Sequence, residues 1–218
     1  MFNRNQKIKK KKIFIIGAGK HGRMIASSIL KDRSLDLVGF IDRKQIKNEK
    51  ILGKEMFENL EEIKKIKNTY FIIGIGDNRR RAEKLKAIPR SKIITVIDKT
   101  AIIDRRTKIE DGCFVAPGVI INFNTHIKKN CIINTGSIIE HDCIIEEDTH
   151  ICPGVKMAGS IKMGKNTFIG VGSVIIDNIT IGDNVIIGAG SVIIDNIPDN
   201  ATAVGAPAKV IKINGKRI

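Results

Sequence analysis

Residues 131–157 read CIINTGSIIEHDCIIEEDTHICPGVKM, and the same kind of residue returns every six positions: Ile133, Ile139, Ile145, Ile151, Met157. Carried outward in both directions with the same step, the register runs from Ile97 to Ile193 without a slip, seventeen consecutive Ile, Val or Met residues. Four residues after each of them stands a small or β-branched residue or a cysteine, such as Cys113, Thr125, Ser137, Thr149, Val155 and Ser173. Gly, Asn and Asp cluster between. A period of six matches neither the 3.6 of a helix nor the alternation of a simple strand. It matches a parallel β-helix in which each six-residue unit is a short strand plus a corner. The aliphatic residue and the small residue four places on both point inward, and the polar residues take the turn.

The flanks and the composition bound the rest. The chain has 218 residues, room for one or two domains, with few aromatics and no Trp, as stacked aliphatic ladders require no large rings. A formal charge of +15 is compatible with an anionic substrate, but most of the lysines read as solvated faces of a Lys- and Ile-rich chain. No reading motif or interleaved aromatic pattern accompanies the charge, so nucleic acid is not an expected partner. The apolar runs are too short to cross a membrane as a helix, and Ile13–Ile16 ends at Gly17, too short for a signal peptide. Three of the four cysteines (Cys113, Cys131 and Cys143, with Cys152 the exception) occupy inward slots, and core packing of reduced thiols is expected.

Ahead of the coils, strands alternate with helices, which implies a small parallel sheet. Ile13–Ile16 is a buried strand, followed by a glycine turn and a helix to about Leu30; Leu35–Ile41 is a second strand ending at Asp42. Glu58–Ile66 reads as helix, Tyr70–Ile75 as strand, Arg79–Ala87 as helix and Ile93–Ile97 as a strand leading into the coils. Gly17-x-Gly19-x-x-Gly22, with Asp42 twenty residues on, supplies a tight turn and a helix N-terminus facing a phosphate. A nicotinamide dinucleotide and a nucleotide-sugar diphosphate would both exploit that turn, and a turn serving close packing alone would read the same way.

After the coils, Val204-Gly205-Ala206-Pro207-Ala208-Lys209 resembles the closing G-x-P-A-K motif of the hexapeptide-repeat acyltransferases, with Ala206 where Asn is frequent. Asn134-Thr135-Gly136-Ser137-Ile138-Ile139-Glu140-His141-Asp142-Cys143, then His150 and Ala158-Gly159, sharpens the resemblance. The chain is similar to bacterial sugar acetyltransferases of the sialic acid O-acetyltransferase type, above all the N-acetyltransferases of UDP-linked 4-amino sugars. The resemblance implies a left-handed coil with three sides, eighteen residues to a turn, and a homotrimer with coenzyme A clefts between neighbours. It also implies a cytoplasmic enzyme, acetyl-CoA as co-substrate and no metal. The expected fold is an α/β domain with a small parallel, Rossmann-like sheet, followed by an all-β left-handed parallel β-helix. The expected division is a basic N-terminal tail (1–11), a nucleotide-sugar-binding domain (12–96), the acetyltransferase coil (97–198) and a C-terminal loop and tail of the coenzyme A region (199–218).

In that frame His141 faces outward with Asp142 beside it, an imidazole whose tautomer a carboxylate can hold, and so a general base. Gly159 lies one eighteen-residue turn on, about 4.8 Å away. There it leaves room for a thioester and frees an N–H for the developing oxyanion. The resemblance places His150, Ala158, Gly159, Val171 and Ala189 along acetyl-CoA, Asn134 at the acceptor pocket and His21 near the acceptor's phosphates. Gly17, Gly19, Gly22 and Asp42 complete the expected acceptor site, while His126 reads as structural. The expected reaction is direct transfer to an amine, with no covalent intermediate. O-acetylation of sialic acid or a related sugar, a silent sugar-nucleotide binding protein and an NAD-dependent enzyme are the competing readings.

Overall fold

In a computed structural model that describes residues 10–42 and 50–218, the chain forms a small α/β unit packed on the flank of a three-sided coil. Most of the expected basic tail lies outside the described residues.

The α/β unit runs β1 (Lys11–Ile16), α1 (Lys20–Leu30), β2 (Leu35–Ile41), β3 (Glu55–Phe57), α2 (Leu60–Lys64), β4 (Thr69–Ile73) and α3 (Asn78–Lys86). The four strands form one parallel sheet in the order β3-β2-β1-β4. Alternation along β1 sorts its side chains. Ile13 and Ile15 join Ile25, Ile29 and Phe40 on the side of α1, whereas Phe14 and Ile16 join Ile63, Phe71 and Ile88 on the side of α2. Both faces are covered, which is why β1 reads as an unbroken apolar run. The strand expected at Ile93–Ile97 is divided. Ile93 bridges the sheet edge at Phe71, and after a short 3₁₀ turn and this bridge the chain enters the coil at Val96–Ile97.

The coil is seventeen two-residue strands, β5 (Val96–Ile97) to β21 (Val192–Ile193), one every six residues. Each strand pairs in parallel with the strand eighteen residues on, giving three faces. The first face carries the strands at 96, 114, 132, 150, 168 and 186, the second those at 102, 120, 138, 156, 174 and 192, and the third those at 108, 126, 144, 162 and 180. The hand is left-handed. From Val115 onward every member of the aliphatic ladder is buried, and so is the small-residue row from Cys113. Ile97 is 41 % exposed and Ile103 and Ile109 are half-buried, because no turn stacks before them at the open end of the prism. The corners explain the Gly, Asn and Asp between the ladders. From Gly112 to Gly190 one residue per hexad sits in the left-handed region, among them Gly118 (φ 70°), Asn124 (φ 55°), Gly136 (φ 65°), Asp142 (φ 58°) and Asn166 (φ 55°).

The segment after the coil, read from sequence as loop and tail, is largely extended. β22 (Ala201–Gly205) continues the first face in parallel from Ile186–Ile187, and β23 (Ala208–Ile213) and β24 (Lys216–Arg217) add to it antiparallel. These strands satisfy the main-chain groups that the last turn would otherwise leave at a bare sheet edge.

Where the α/β unit meets the first face, the outward row of that face is buried: Val96 1 %, Phe114 1 %, Ile132 1 % and His150 7 % exposed. α1 is tied to the first turn through Asp98, which accepts from Ser28 Oγ at 2.6 Å and from Lys31 Nζ at 3.2 Å. Burial pushes the Asp98 carboxyl up, but the donors of Ser28, Thr100 and Lys31 outweigh it and bring the group down to about 2. α3 is tied more deeply. The Arg81 side chain is fully buried and donates to the carbonyls of Ile75, Gly76, Asn130, Asp148 and Thr149 and to Asn78 Oδ1, while Asn78 Nδ2 donates to the Thr167 carbonyl.

Candidate active site

His141 stands on the corner between the second and third faces. Its Nδ1 is 2.8 Å from Asp142 Oδ2. An ionised carboxylate only accepts, so Nδ1 carries the proton and the Nε2 lone pair points away from the acid. Asn124 Nδ2 donates to the other carboxylate oxygen, and that bond together with His141 holds the Asp142 carboxyl below its usual range. The imidazole is 45 % exposed and stacks on Phe123 with ring centroids 5.3 Å apart and planes inclined by 13°. Gly159 sits beneath the ring from the following turn. A Cβ built there would fall 2.6 Å from His141 Cε1 and 2.8 Å from Nε2. The space that the sequence assigned to a thioester at Gly159 is therefore filled by the imidazole itself, and any larger residue at 159 would displace the ring.

His150 occupies a different world. It lies in the buried row of the first face, with Nδ1 3.1 Å from the Gly76 carbonyl and Nε2 3.1 Å from Asn134 Nδ2. The Asn134 orientation is fixed because its Oδ1 accepts from the Thr135 N–H at 2.8 Å. Nδ1 of His150 therefore donates to Gly76 and Nε2 accepts from Asn134. Burial, with the Arg81 cation nearby, holds His150 neutral down to about 4. The His21 ring lies 6.0 Å from that of His150 and 5.6 Å from that of Phe114, and burial, then the neighbouring His150 and Arg81, lowers it to about 3. His126, expected to be structural, is 2.9 Å from Glu110 Oε1.

The glycine turn lines a cleft of about 740 Å³ in the α/β unit, bounded by Gly17, Gly19, Lys20, His21, Asp42, Gly74, Ile75, Gly76, Asp77, Arg80 and Lys84. Its glycines divide their work. Gly17 has φ 105° and a Cβ at Gly22 would lie 2.0 Å from the Gly17 carbonyl oxygen, so these two serve the turn and its packing. Gly19, the N-cap of α1, has nothing within 4 Å of its absent Cβ and faces open space. Asp42 Oδ2 accepts from the Ala18 N–H at 2.9 Å, bracing the loop. Lys20, Arg80 and Lys84, which sequence reasoning passed over, bring cations to the same cleft as the α1 N-terminus, a setting suited to a diphosphate. Arg80 was signalled by the basic start of the helix after Gly76-Asp77, Lys20 by its place just after Gly19 and Lys84 by the basic last turn of α3.

The expected site residues thus fall in three places in one chain. His141, Asp142, Ala158 and Gly159 gather at the corner between the second and third faces. Val171 (53 % exposed) and Ala189 (exposed) lie on the corner between the first and second faces, close in the sequence of corners to Asn134 and His150. Gly17, Gly19, His21, Gly22 and Asp42 belong to the cleft. Burial pushes the Cys152 thiol up to about 12 and raises Cys131 and Cys143 as well, so these thiols rest in the core as neutral groups. Among the described residues no helix is long and apolar enough to cross a membrane.

Residues 12–88 match the family model of the PglD N-terminal domain, and residues 124–159 and 160–195 match the bacterial transferase hexapeptide model of six repeats. Among solved structures, PerB from Caulobacter crescentus in complex with CoA and GDP-perosamine is 30 % identical, with a TM-score of 0.82 over 91 % of this chain and 96 % of that one. A histidine-to-asparagine variant of perosamine N-acetyltransferase from the same organism, also with CoA and GDP-perosamine, is 29 % identical with a TM-score of 0.83 over 91 % and 96 %. The acetyltransferase domain of PglB from Neisseria gonorrhoeae in complex with acetyl coenzyme A is 25 % identical with a TM-score of 0.85 over 92 % and 99 %. Among curated protein sequences none matches. With its glycine-turn α/β unit, its three-sided coil and its His-Asp corner, the chain belongs to the hexapeptide-repeat sugar acetyltransferases.

Proposed function

We propose that the chain transfers the acetyl group of acetyl-CoA to the amino group of a nucleoside-diphosphate-linked sugar, with His141 as general base and Asp142 as its orienting partner. The observation that carries this reading is the His141–Asp142 pair at an open corner, with Nδ1 held by the acid and Nε2 turned outward. The neutral amine attacks the thioester carbonyl, so an N–C bond forms as the C–S bond breaks. The amine proton passes to His141 Nε2 and from there to the departing sulfur. The backbone N–H of Gly159, under the imidazole, is the proposed donor to the developing oxyanion. The cleft of the α/β unit takes the nucleotide, with its diphosphate at Gly19 and the α1 N-terminus among Lys20, Arg80 and Lys84. The cytoplasm, where acetyl-CoA is made, is the proposed compartment.

The placement of the two proposed half-sites supports a homotrimer as part of this reading. His141 and the row of Val171 and Ala189 occupy different corners of one prism. A threefold arrangement of parallel prisms brings one corner of each copy to the other corner of its neighbour. Ile102, Phe123, Ile144, Val174, Ile176 and Ile194 are all at least 39 % exposed and give such a contact apolar surface.

Release of coenzyme A thiol on mixing the protein with acetyl-CoA and candidate acceptors tests the reaction. UDP-linked 4-amino sugars, the acceptors that the family resemblance implies, are compared with GDP-linked amino sugars such as the one bound by the Caulobacter relative. Thiol release that requires the amino group is the expected result. Release with sialic acid or another hydroxyl acceptor alone would make the enzyme an O-acetyltransferase, and no release with any acceptor would end the catalytic reading. Sedimentation at micromolar concentration tests the trimer, and a monomer there contradicts it.

A further inference from the structure

We propose that Phe123 and Asn124, one turn before the dyad, are positioning residues for the acetyl transfer: Phe123 fixes the plane of the His141 ring and Asn124 the rotation of the Asp142 carboxylate. This rests on the reading of His141 as the base. The coil repeats every eighteen residues, so the dipeptide 123–124 lies directly against the dipeptide 141–142. Each member supports the residue stacked on it. Phe123 lies nearly parallel to His141 with centroids 5.3 Å apart. Its carbonyl accepts from the Asp142 N–H at 3.1 Å. Asn124 Nδ2 donates to Asp142 Oδ1, which leaves Oδ2 for His141 Nδ1.

The support continues one layer further. The Arg106 guanidinium lies 4.9 Å from the Phe123 centroid and is itself held by Asp104, with Arg106 Nε 3.0 Å from Asp104 Oδ1. The Phe123 ring is 40 % exposed on its corner. Here one face of the ring meets a cation and the other a base. His141 has free volume on its solvent side, so without a flat partner its χ2 is broad, as for any ring on an sp³ carbon. Phe123 on one side and Gly159 on the other form a slot of one ring's thickness, and the imidazole is the group that fills it. The backbone at 124 has φ 55°, where glycine and asparagine are tolerated, so the amide can be removed without disturbing the corner.

The test is steady-state kinetics of Phe123→Leu, Phe123→Tyr and Asn124→Gly, each alone and with His141→Ala, with thermal melting to verify that the coil is intact. Phe123→Leu and Asn124→Gly should each lower kcat by about two- to tenfold, the range that a ring stack or a single supporting bond commands. KM for acetyl-CoA and for the sugar nucleotide should stay within about twofold of wild type, because positioning of the base acts on the transition state. Phe123→Tyr keeps the ring and should return kcat to within about twofold of wild type. On top of His141→Ala, the same substitutions should change kcat by less than about twofold, since the group they position is gone. Wild-type kcat in both single variants, a loss confined to KM, or an equal loss with and without His141 would overturn the proposal while leaving the base reading intact. Wild-type kcat in His141→Ala alone would instead remove the base reading, and this inference with it.

Discussion

His141 and His150 are nine positions apart in the sequence, half an eighteen-residue turn, and the fold gives them opposite surroundings. His141 stands on a corner, nearly half exposed, with a carboxylate on one nitrogen and nothing but solvent required of the other. His150 is 7 % exposed in the seam between the α/β unit and the coil, with both nitrogens committed to neutral groups and no acid beside it. The first environment leaves the Nε2 lone pair open toward solvent beside an oriented ring; the second is buried and holds its ring neutral down to about 4. The difference teaches which histidine offers an open nitrogen to a substrate and which is held in place by its partners. The α/β unit creates the difference, because it covers one face of the prism and leaves the far corner bare.

The largest expected effect falls on the exposed histidine. His141→Ala should lower kcat by about a hundred- to ten-thousandfold with KM for acetyl-CoA little changed, as measured by thiol release at saturating acceptor. His150→Gln should cost less in kcat than His141→Ala; a larger loss would reverse the assignment. Next in size is the seam itself. Arg81→Met removes the guanidinium that donates to five carbonyls and Asn78 Oδ1 in a buried interface, of which Gly76 and Thr149 keep donors in His150 and the Ile132 N–H, and should reduce unfolding free energy by about 3 kcal/mol or more in chemical denaturation. A loss under about 0.5 kcal/mol would mean that water replaces the guanidinium there.

A titration of stability reads the buried His150 without any assay. His150, lowered to about 4 by burial, binds fewer protons folded than unfolded between that value and its ordinary 6.5. Stability is therefore complete above about pH 6.5 and falls as the pH drops toward 4, by up to about 3 kcal/mol, with His21 adding in the same direction. Asp98, brought down to about 2, loses its contribution only below its ordinary 3.8, so the two windows are distinct. In His150→Gln the slope between pH 6.5 and 4 should diminish, and an unchanged slope would place the titrating groups elsewhere. The smallest effect concerns the cleft. Gly19→Trp, built into open space, should raise KM for the sugar nucleotide by about tenfold or more with KM for acetyl-CoA nearly unchanged. Equal damage to both would argue against a nucleotide in that cleft.

Much of this was legible in the residues, because a β-helix assigns each position its surroundings by a local period. The ladder from Val115 onward, the small inward row and the left-handed corner residues each follow the step of six. The corner assignments follow from the same count. His141 and Val171 are thirty residues apart, which is not a whole number of eighteen-residue turns, so simple counting separates them. What escaped lacks such a period. β3 is a three-residue edge strand, and the closing strands around Ala208–Ile213 mix lysines with aliphatics in no hexad register. Arg81 follows two other arginines on α3, and only its seating against the coil shows which of the three is the buried one. The contact of Gly159 with the imidazole escaped as well, because a missing side chain signals free space in a sequence, whereas the fold sets the His141 ring there.

The central claim is that His141, not the buried His150, takes the acceptor's proton. Its most direct test is the pH dependence of kcat/KM for the sugar nucleotide, measured side by side for the wild type, His141→Ala and His150→Gln within the pH range where all three remain folded. The account predicts a limb rising with pH in the wild type and in His150→Gln, and a profile in His141→Ala that is lower throughout and has lost that limb. A rising limb that survives in His141→Ala and disappears in His150→Gln would contradict it.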